Sequence, residues 1–153
     1  MDLESFDAVI IAAGAGTPQF GPWPLKKTKG QALLCRVREA PPMALLGEGH
    51  ISPTEDSSIW QVGSTYERTF TTDGPDEAVA LKLIDQVSQF YPPARDFEVL
   101  EVRAGIRMSP HHGYRPLCGQ VGPKTWVFTG LGSRGLLYHA LLGRELAECI
   151  LTH

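Results

Sequence analysis

Hydrophobic and polar positions divide the chain into short strands and two helices. The run Asp7-Ala-Val-Ile-Ile-Ala12 is apolar without alternation, the pattern of a strand covered on both faces as in a parallel sheet. Ala13 to Leu25 then holds three prolines and three glycines in thirteen residues, which predicts a long loop where a βαβ unit would place a helix. Strands are predicted over Lys29–Val37, His50–Pro53 and Ser58–Thr65, with the acidic turn Glu55-Asp56 between the last two: a hairpin-rich, mostly antiparallel region. Gly74-Pro75-x-Glu77 starts an amphipathic helix in which Ala80, Leu81, Ile84, Val87 and Phe90 recur at helical spacing until Tyr91-Pro92-Pro93 stops it.

From Phe97 to Ser109 the period changes to two. Leu100, Val102, Ala104, Ile106 and Met108 form one face of the predicted strand, and Glu101, Arg103, Gly105 and Arg107 the other. A charged face of this kind meets either water or a polar ligand. The strand Trp126–Thr129 leads into the glycine-rich turn Gly130-Leu-Gly-Ser-Arg-Gly-Leu136, and this opens a last helix to Leu151 that is apolar around much of its circumference and so expected to be largely buried.

At 153 residues, 42% of them hydrophobic, the chain has enough apolar material for one ordinary core. No apolar run approaches the roughly 20 residues of a membrane span, and the first residues are acidic where a signal peptide would be basic, so a cytoplasmic protein without membrane attachment is expected. Cys35, Cys118 and Cys149 show no C-x-x-C spacing and read as reduced thiols. The net charge of −3, with only Lys26-Lys27-Thr28-Lys29 as a basic stretch, argues against direct nucleic-acid binding.

Candidate chemistry concentrates at the last glycine-rich turn. A strand that ends in glycines and opens a helix directs backbone N–H groups and the positive end of the helix dipole to one spot, which suits an anion or an electron-rich ring. Arg134 adds a full charge there. Gly14-Ala-Gly16 after the first strand lacks a third glycine and a following helix, so it fails as a complete dinucleotide fingerprint, although its small residues permit close approach of a ligand. His111-His112 reads as a turn, and His50 has no neighbouring carboxylate in sequence. No metal-ligand spacing and no nucleophile elbow appear; no catalytic acid, base or nucleophile is assigned.

The ordered series Val9-Ile-Ile-Ala-Ala-Gly-Ala-Gly16, Lys29-Gly-Gln31, His50-Ile-Ser-Pro53, Val62-Gly-Ser-Thr65, Arg103-Ala-Gly-Ile-Arg107, Arg115-Pro-Leu-Cys-Gly119 and Thr129-Gly-Leu-Gly-Ser-Arg-Gly-Leu136 resembles the C-terminal half of the FAD-dependent D-amino-acid oxidase superfamily. Within it the chain is similar to glycine oxidases and to the oxidase module of the bifunctional enzymes that mature 5-aminomethyl-type wobble uridines of tRNA. The resemblance implies an α+β fold: a mostly antiparallel or mixed substrate-domain sheet with one amphipathic helix over residues 21–119, and the first strand and last helix (1–20 and 120–153) as an incomplete FAD-binding domain. It implies FAD contacts at Ala13, Gly14, Gly16, Gly130, Leu131, Gly132, Ser133, Arg134, Gly135 and Leu136, where amides stabilise negative charge on the reduced ring. It further implies substrate contacts at Arg107, His50 and Arg134, with Arg107 pairing bidentately with a carboxylate.

The implied reaction oxidises a C–N bond of a small amino acid or amine by hydride transfer to flavin. His50 stands where related oxidases often carry an aromatic residue, and His112 where the turn is usually acidic. The family's N-terminal βαβ unit, with the G-x-G-x-x-G loop for the ADP half of FAD, has no counterpart ahead of the first strand. The chain is therefore expected to bind FAD poorly alone and to need a separate chain carrying that half, or else to act as a non-catalytic module for a small carboxylate or a protein. Self-association into a homo-oligomer is the remaining expectation.

Overall fold

The computed structural model describes residues 5–152. In chain order the elements are β1 (Val9–Ile11), β2 (Leu25–Arg36), β3 (Leu45–Leu46), β4 (His50–Pro53), β5 (Ile59–Gly63), α1 (Glu77–Ala80), α2 (Lys82–Ser88), β6 (Glu98–Pro110), β7 (Leu117–Gly122), β8 (Thr125–Thr129) and α3 (Gly135–Leu151), with 3-10 stretches at Gly14–Phe20, Pro92–Asp96 and Gly132–Arg134. This is the α+β class the sequence implies, with one mixed sheet and a second sheet that is antiparallel from β3 through β4 and β5 to β2. Two compact units result: the first takes its residues from both ends of the chain, up to Thr28 and from Arg107, and the second is Lys29–Ile106.

The second unit is a sheet in the order β3-β4-β5-β2-β6. Cys35 pairs with Trp60, Leu33 with Val62 and Val62 with Ile51, so one alternate set of side chains forms a single apolar face. Ala80, Leu83, Val87 and Ala94 pack into that face, and Leu33, Cys35, Ile51, Val62, Val87 and Ala80 are fully buried. The helical region begins where the Asp76 carboxylate accepts the Val79 N–H at 3.2 Å, satisfying one of the unpaired donors of the first turn. It is not one helix but two short ones that meet at Leu81, and it ends at Ser88, before Phe90.

Buried polar groups fix the segment that links sheet to helix. Lys29 and Gln31 are almost wholly buried. The Gln31 amide donates to Glu67 at 2.9 Å and its carbonyl accepts the Asp76 N–H at 2.6 Å, while Lys29 Nζ donates to the Thr72 carbonyl. Each such group left unpaired would cost about 1–3 kcal/mol, so the bonds determine the path of residues 65–76.

β6 departs from the predicted alternation. Val99 and Val102 pack on the core, whereas Leu100 joins Glu101 on the exposed side, so the apolar set begins one residue earlier and slips before Val102. Glu101 and Arg103, two apart on the outer face, form an ion pair at 2.9 Å.

The first unit is a three-stranded sheet in the order β1-β8-β7, with β1 parallel to β8 and β7 antiparallel to it. Three sequence expectations fail here. The stretch after β1 is not loop throughout but a seven-residue 3-10 helix, whose short turns accommodate Pro18. β1 is not covered on both faces: it is an edge strand, and Ile10 is 49% exposed. α3 is not largely buried either. Leu142 and Leu146 pack inward, but Leu136, Leu137, Leu141 and Leu151 lie 94, 70, 57 and 85% exposed, because no second layer among the described residues meets their side of the helix. No described helix is long and apolar enough to cross a membrane, and all three cysteines are free.

Two outcomes follow for the second unit. Val62→Ala should lower stability by about 1–3 kcal/mol in urea denaturation, since it removes fully buried methyl groups from the centre of the core. Burial pushes the Cys35 thiol from its ordinary 9.0 to about 11, so it stays protonated in the folded state where an unfolded chain ionises. Its contribution to stability is full below pH 9 and falls as pH rises to about 11. Alkylation at pH 9 read by mass spectrometry should therefore modify exposed Cys149 and spare Cys35.

Candidate functional site

The pairing of β1 with β8 decides where a ligand can reach the first unit. Val9 stands opposite Thr125 and Ile11 opposite Val127 in parallel register, so both strands end at the same edge of the sheet. Ligands of parallel sheets gather at that edge, because the turns leaving it carry unpaired backbone N–H groups. Here the turns are the Gly14–Phe20 stretch and Gly130–Arg134. A bond between the Thr17 and Thr129 hydroxyls, 3.0 Å long and buried, ties one turn to the other.

The glycines in the second turn are there for conformation and for space. Gly130 has φ +75° and Gly132 φ +55°, in the left-handed region that favours glycine. A methyl group on Gly130 would stand 3.0 Å from Leu25 Cδ2, and one on Gly132 2.5 Å from Ser109 Oγ. Gly135 is different. Its φ is −53° and nothing lies within 4 Å of where its Cβ would be, so its side opens on free space.

α3 starts at Gly135 with no side chain capping it. The first-turn amides of the helix lack intrahelical acceptors, and the dipole adds partial positive charge at the same place.

Of the other residues singled out from the sequence, Ala13 precedes the 3-10 stretch, exposed Gly14 has φ +52°, and the Gly16 N–H donates to the Ala13 carbonyl at 2.9 Å. Leu131 is half-buried, and Ser133 and Leu136 are exposed. The Arg134 guanidinium stacks on the Tyr114 ring, 4.2 Å from its centre, which holds it over the His111–Arg115 bend. Arg107 is half-buried on β6, and Ser109, two residues on and therefore on the same side of the strand, is the residue that touches the Gly132 turn. Segments 13–17, 107–110 and 129–136 thus converge within one unit. His50 belongs to the other unit, where its ring nitrogen Nε2 lies 3.4 Å from Gln61 Nε2.

Sequence reading passed over three features. Gly130-Leu-Gly-Ser-Arg-Gly135 is itself a G-x-G-x-x-G spacing that follows a strand and opens a helix. It lacks the rest of a dinucleotide fingerprint, since no described strand follows α3 to complete a βαβ unit. The Thr17–Thr129 bond gave no signal, its partners being 112 residues apart. Ser109 could have been found: the alternation that put Arg107 on the polar face puts Ser109 there too. His111 and His112 are exposed, and no cluster of metal-binding side chains occurs among the described residues.

Comparison with known proteins identifies the family. The family described as FAD dependent oxidoreductase (DAO) matches residues 2–149. The tRNA 5-methylaminomethyl-2-thiouridine biosynthesis bifunctional protein MnmC of Caulobacter sp. (strain K31) is 30% identical over 98% of the chain, which spans 26% of that protein. The MnmC of Marinobacter nauticus is 26% identical over 93% of the chain and 25% of its own length. Among solved structures, the iminodiacetate oxidase of Chelativorans sp. BNC1 superposes with a TM-score of 0.82 at 24% identity, over 97% of this chain and 43% of that one. The glycine oxidase of Bacillus cereus gives 0.77 at 21% identity, over 95% and 42%. The chain thus spans about a quarter of the curated relatives and less than half of the superposed oxidases.

The glycines of the turn separate in a denaturation experiment. Gly130→Ala should cost about 1–2 kcal/mol, the usual penalty for a side chain in the left-handed region. Gly135→Ala should leave stability unchanged or raise it by up to about 1 kcal/mol, because alanine suits a helix start with open space beside it.

Proposed function

The chain belongs to the DAO family of FAD-dependent oxidoreductases, and from that premise we propose that it is the substrate-binding and flavin-facing part of an amine or amino-acid oxidase. The observation that carries this reading is the edge where β1 and β8 end together. Three segments meet there around glycines that keep side chains off the backbone, beside an uncapped helix N-terminus.

That edge fits the pyrimidine side of an isoalloxazine ring. Gly130, Leu131, Gly132, Ser133, Gly135 and Leu136 would hold it on one side and Ala13, Gly14 and Gly16 on the other. When bound, FAD supplies the hydride acceptor for oxidation of a C–N bond to an imine. The chain's own part is electrostatic and steric. First-turn amides of α3 place positive potential where negative charge collects, with no reorganisation at the moment of reaction. Arg107, half-buried on the strand that supports the turn, offers a planar fork to a substrate carboxylate and so orients the amine. Arg134, stacked on Tyr114, adds charge at the same edge.

The adenosine half of FAD calls for a βαβ unit that the described elements do not contain. A βαβ unit supplied by a second polypeptide would complete the cofactor site in this reading. The exposed apolar residues of the first unit, Ile10 on edge strand β1 and Leu136, Leu137 and Leu141 on α3, are the surface that partner would cover. The same surface would otherwise favour homo-oligomers.

Purified alone, the chain should be colourless. Mixed with a polypeptide carrying the N-terminal unit of a related oxidase, it should take up FAD and oxidise glycine or iminodiacetate, measured by flavin absorbance and oxygen consumption. No flavin uptake and no oxidation with any such partner would overturn this reading in favour of a non-catalytic carboxylate- or protein-binding module. In the reconstituted oxidase, Arg107→Ala should raise KM for the carboxylate substrate roughly 10- to 100-fold, the worth of one charge-assisted bidentate contact, with a smaller change in kcat.

A further inference from the structure

Arg134 is a half-buried cation held by the Tyr114 ring, whose centre lies 4.2 Å from the guanidinium carbon. Among the described residues no hydrogen bond or ion pair of the guanidinium accompanies that contact. The sequence around it supplies no counter-charge either, since neither aspartate nor glutamate occurs from Val102 to Arg144. Arg134 also caps the start of α3, where a cation opposes the helix dipole, so it does not serve the stability of that helix.

Tyr114 is 74% exposed and contributes little to the core. It stands in a bend whose ends are both fixed: the His111 N–H donates to the Pro24 carbonyl at 2.8 Å, and Leu117 pairs with Thr129 on β8. Gly113, at φ +69°, turns the chain between them. The ring is thus presented to Arg134 by a tethered backbone. A guanidinium covered on its face keeps its N–H donors, which lie in its plane, for another partner. Arg107 belongs to the same unit. It stands two residues before Ser109, Arg134 stands two residues after Gly132, and Ser109 and Gly132 are in contact.

We propose that Arg134 reads a second carboxylate of the substrate and that Tyr114 is its positioning residue. The favoured substrate class is then an amine whose nitrogen carries two carboxymethyl arms. This rests on the proposed function in one respect, that Arg107 takes the first carboxylate. The second contact contributes binding that a monocarboxylate such as glycine cannot use, which makes Arg134 a specificity-determining residue. Tyr114 acts only through it.

Tyr114, Arg107 and Arg134 lie in one unit, so the chain alone gives the first test. In nitrogen-15 NMR the Arg134 Nε–H signal, identified by its loss in Arg134→Gln, should be shifted upfield by the ring. Tyr114→Phe should keep that shift and Tyr114→Leu should lose it. Diglycolate, with two carboxylates and no amine, should move the signal at about tenfold lower concentration than methoxyacetate, which has one carboxylate. In Tyr114→Leu the two compounds should become alike.

In the reconstituted oxidase, Arg134→Gln should lower the ratio of kcat/KM for iminodiacetate to that for glycine about tenfold, the worth of one charge-assisted hydrogen bond. Tyr114→Leu should lower it in the same direction, and Tyr114→Phe should restore it. Equal responses of the unaltered chain to diglycolate and methoxyacetate overturn the proposal. So does a working oxidase whose substrate ratio ignores Arg134→Gln, and a ratio that ignores Tyr114→Leu removes the positioning role. The expected NMR results with no flavin uptake or oxidation from any partner would uphold the two-carboxylate site and count against the proposed function instead.

Discussion

The parallel pairing of β1 with β8 is the constraint on which the candidate site depends. Strand β1 is three residues long and by itself would have little to hold it. Placed in register beside β8, it ends at the same edge, two residues short of its neighbour, and the Thr17–Thr129 hydroxyl bond fastens the segments that leave both strands. The two glycine-rich stretches, far apart in sequence, thereby become the two sides of one edge. Antiparallel pairing would have sent them to opposite ends of the sheet.

The second unit is held by different means. Its core is apolar, with helix and sheet faces meeting through Leu83, Val87, Leu33 and Val62. Its connections are polar and buried, through Lys29, Gln31, Thr65 and Glu67. The core sets how firmly the unit stands, and the polar bonds set which path the chain takes between elements.

Period and composition made the local structure legible. The alternation of β6 placed Arg107 on the polar side, and the strand, glycine turn and helix at 126–151 stand where they were expected. What could not be read were the properties that depend on partners far away. Whether Ile10 or Leu136 is covered depends on layers, which apolarity alone does not reveal. The burial of Gln31 depends on Glu67, 36 residues on, and on Asp76 beyond it. The slip at Leu100 is a register event in β6, to which period-two counting is blind. The candidate site residues came mostly from family motifs; the packing of Ser109 on the Gly132 turn and the Thr17–Thr129 bond could not be read from any motif.

The division of the chain also sets an order of events during synthesis. Lys29–Ile106 is continuous, so it can collapse as soon as it leaves the ribosome. β1 is made before that unit yet pairs with β8, and Val9 must wait for Thr125 before its backbone finds a partner. β1 is thus secured later than the unit that follows it in sequence, and its apolar Val-Ile-Ile edge stays available to chaperones, or to another chain's strand, until β8 has been made.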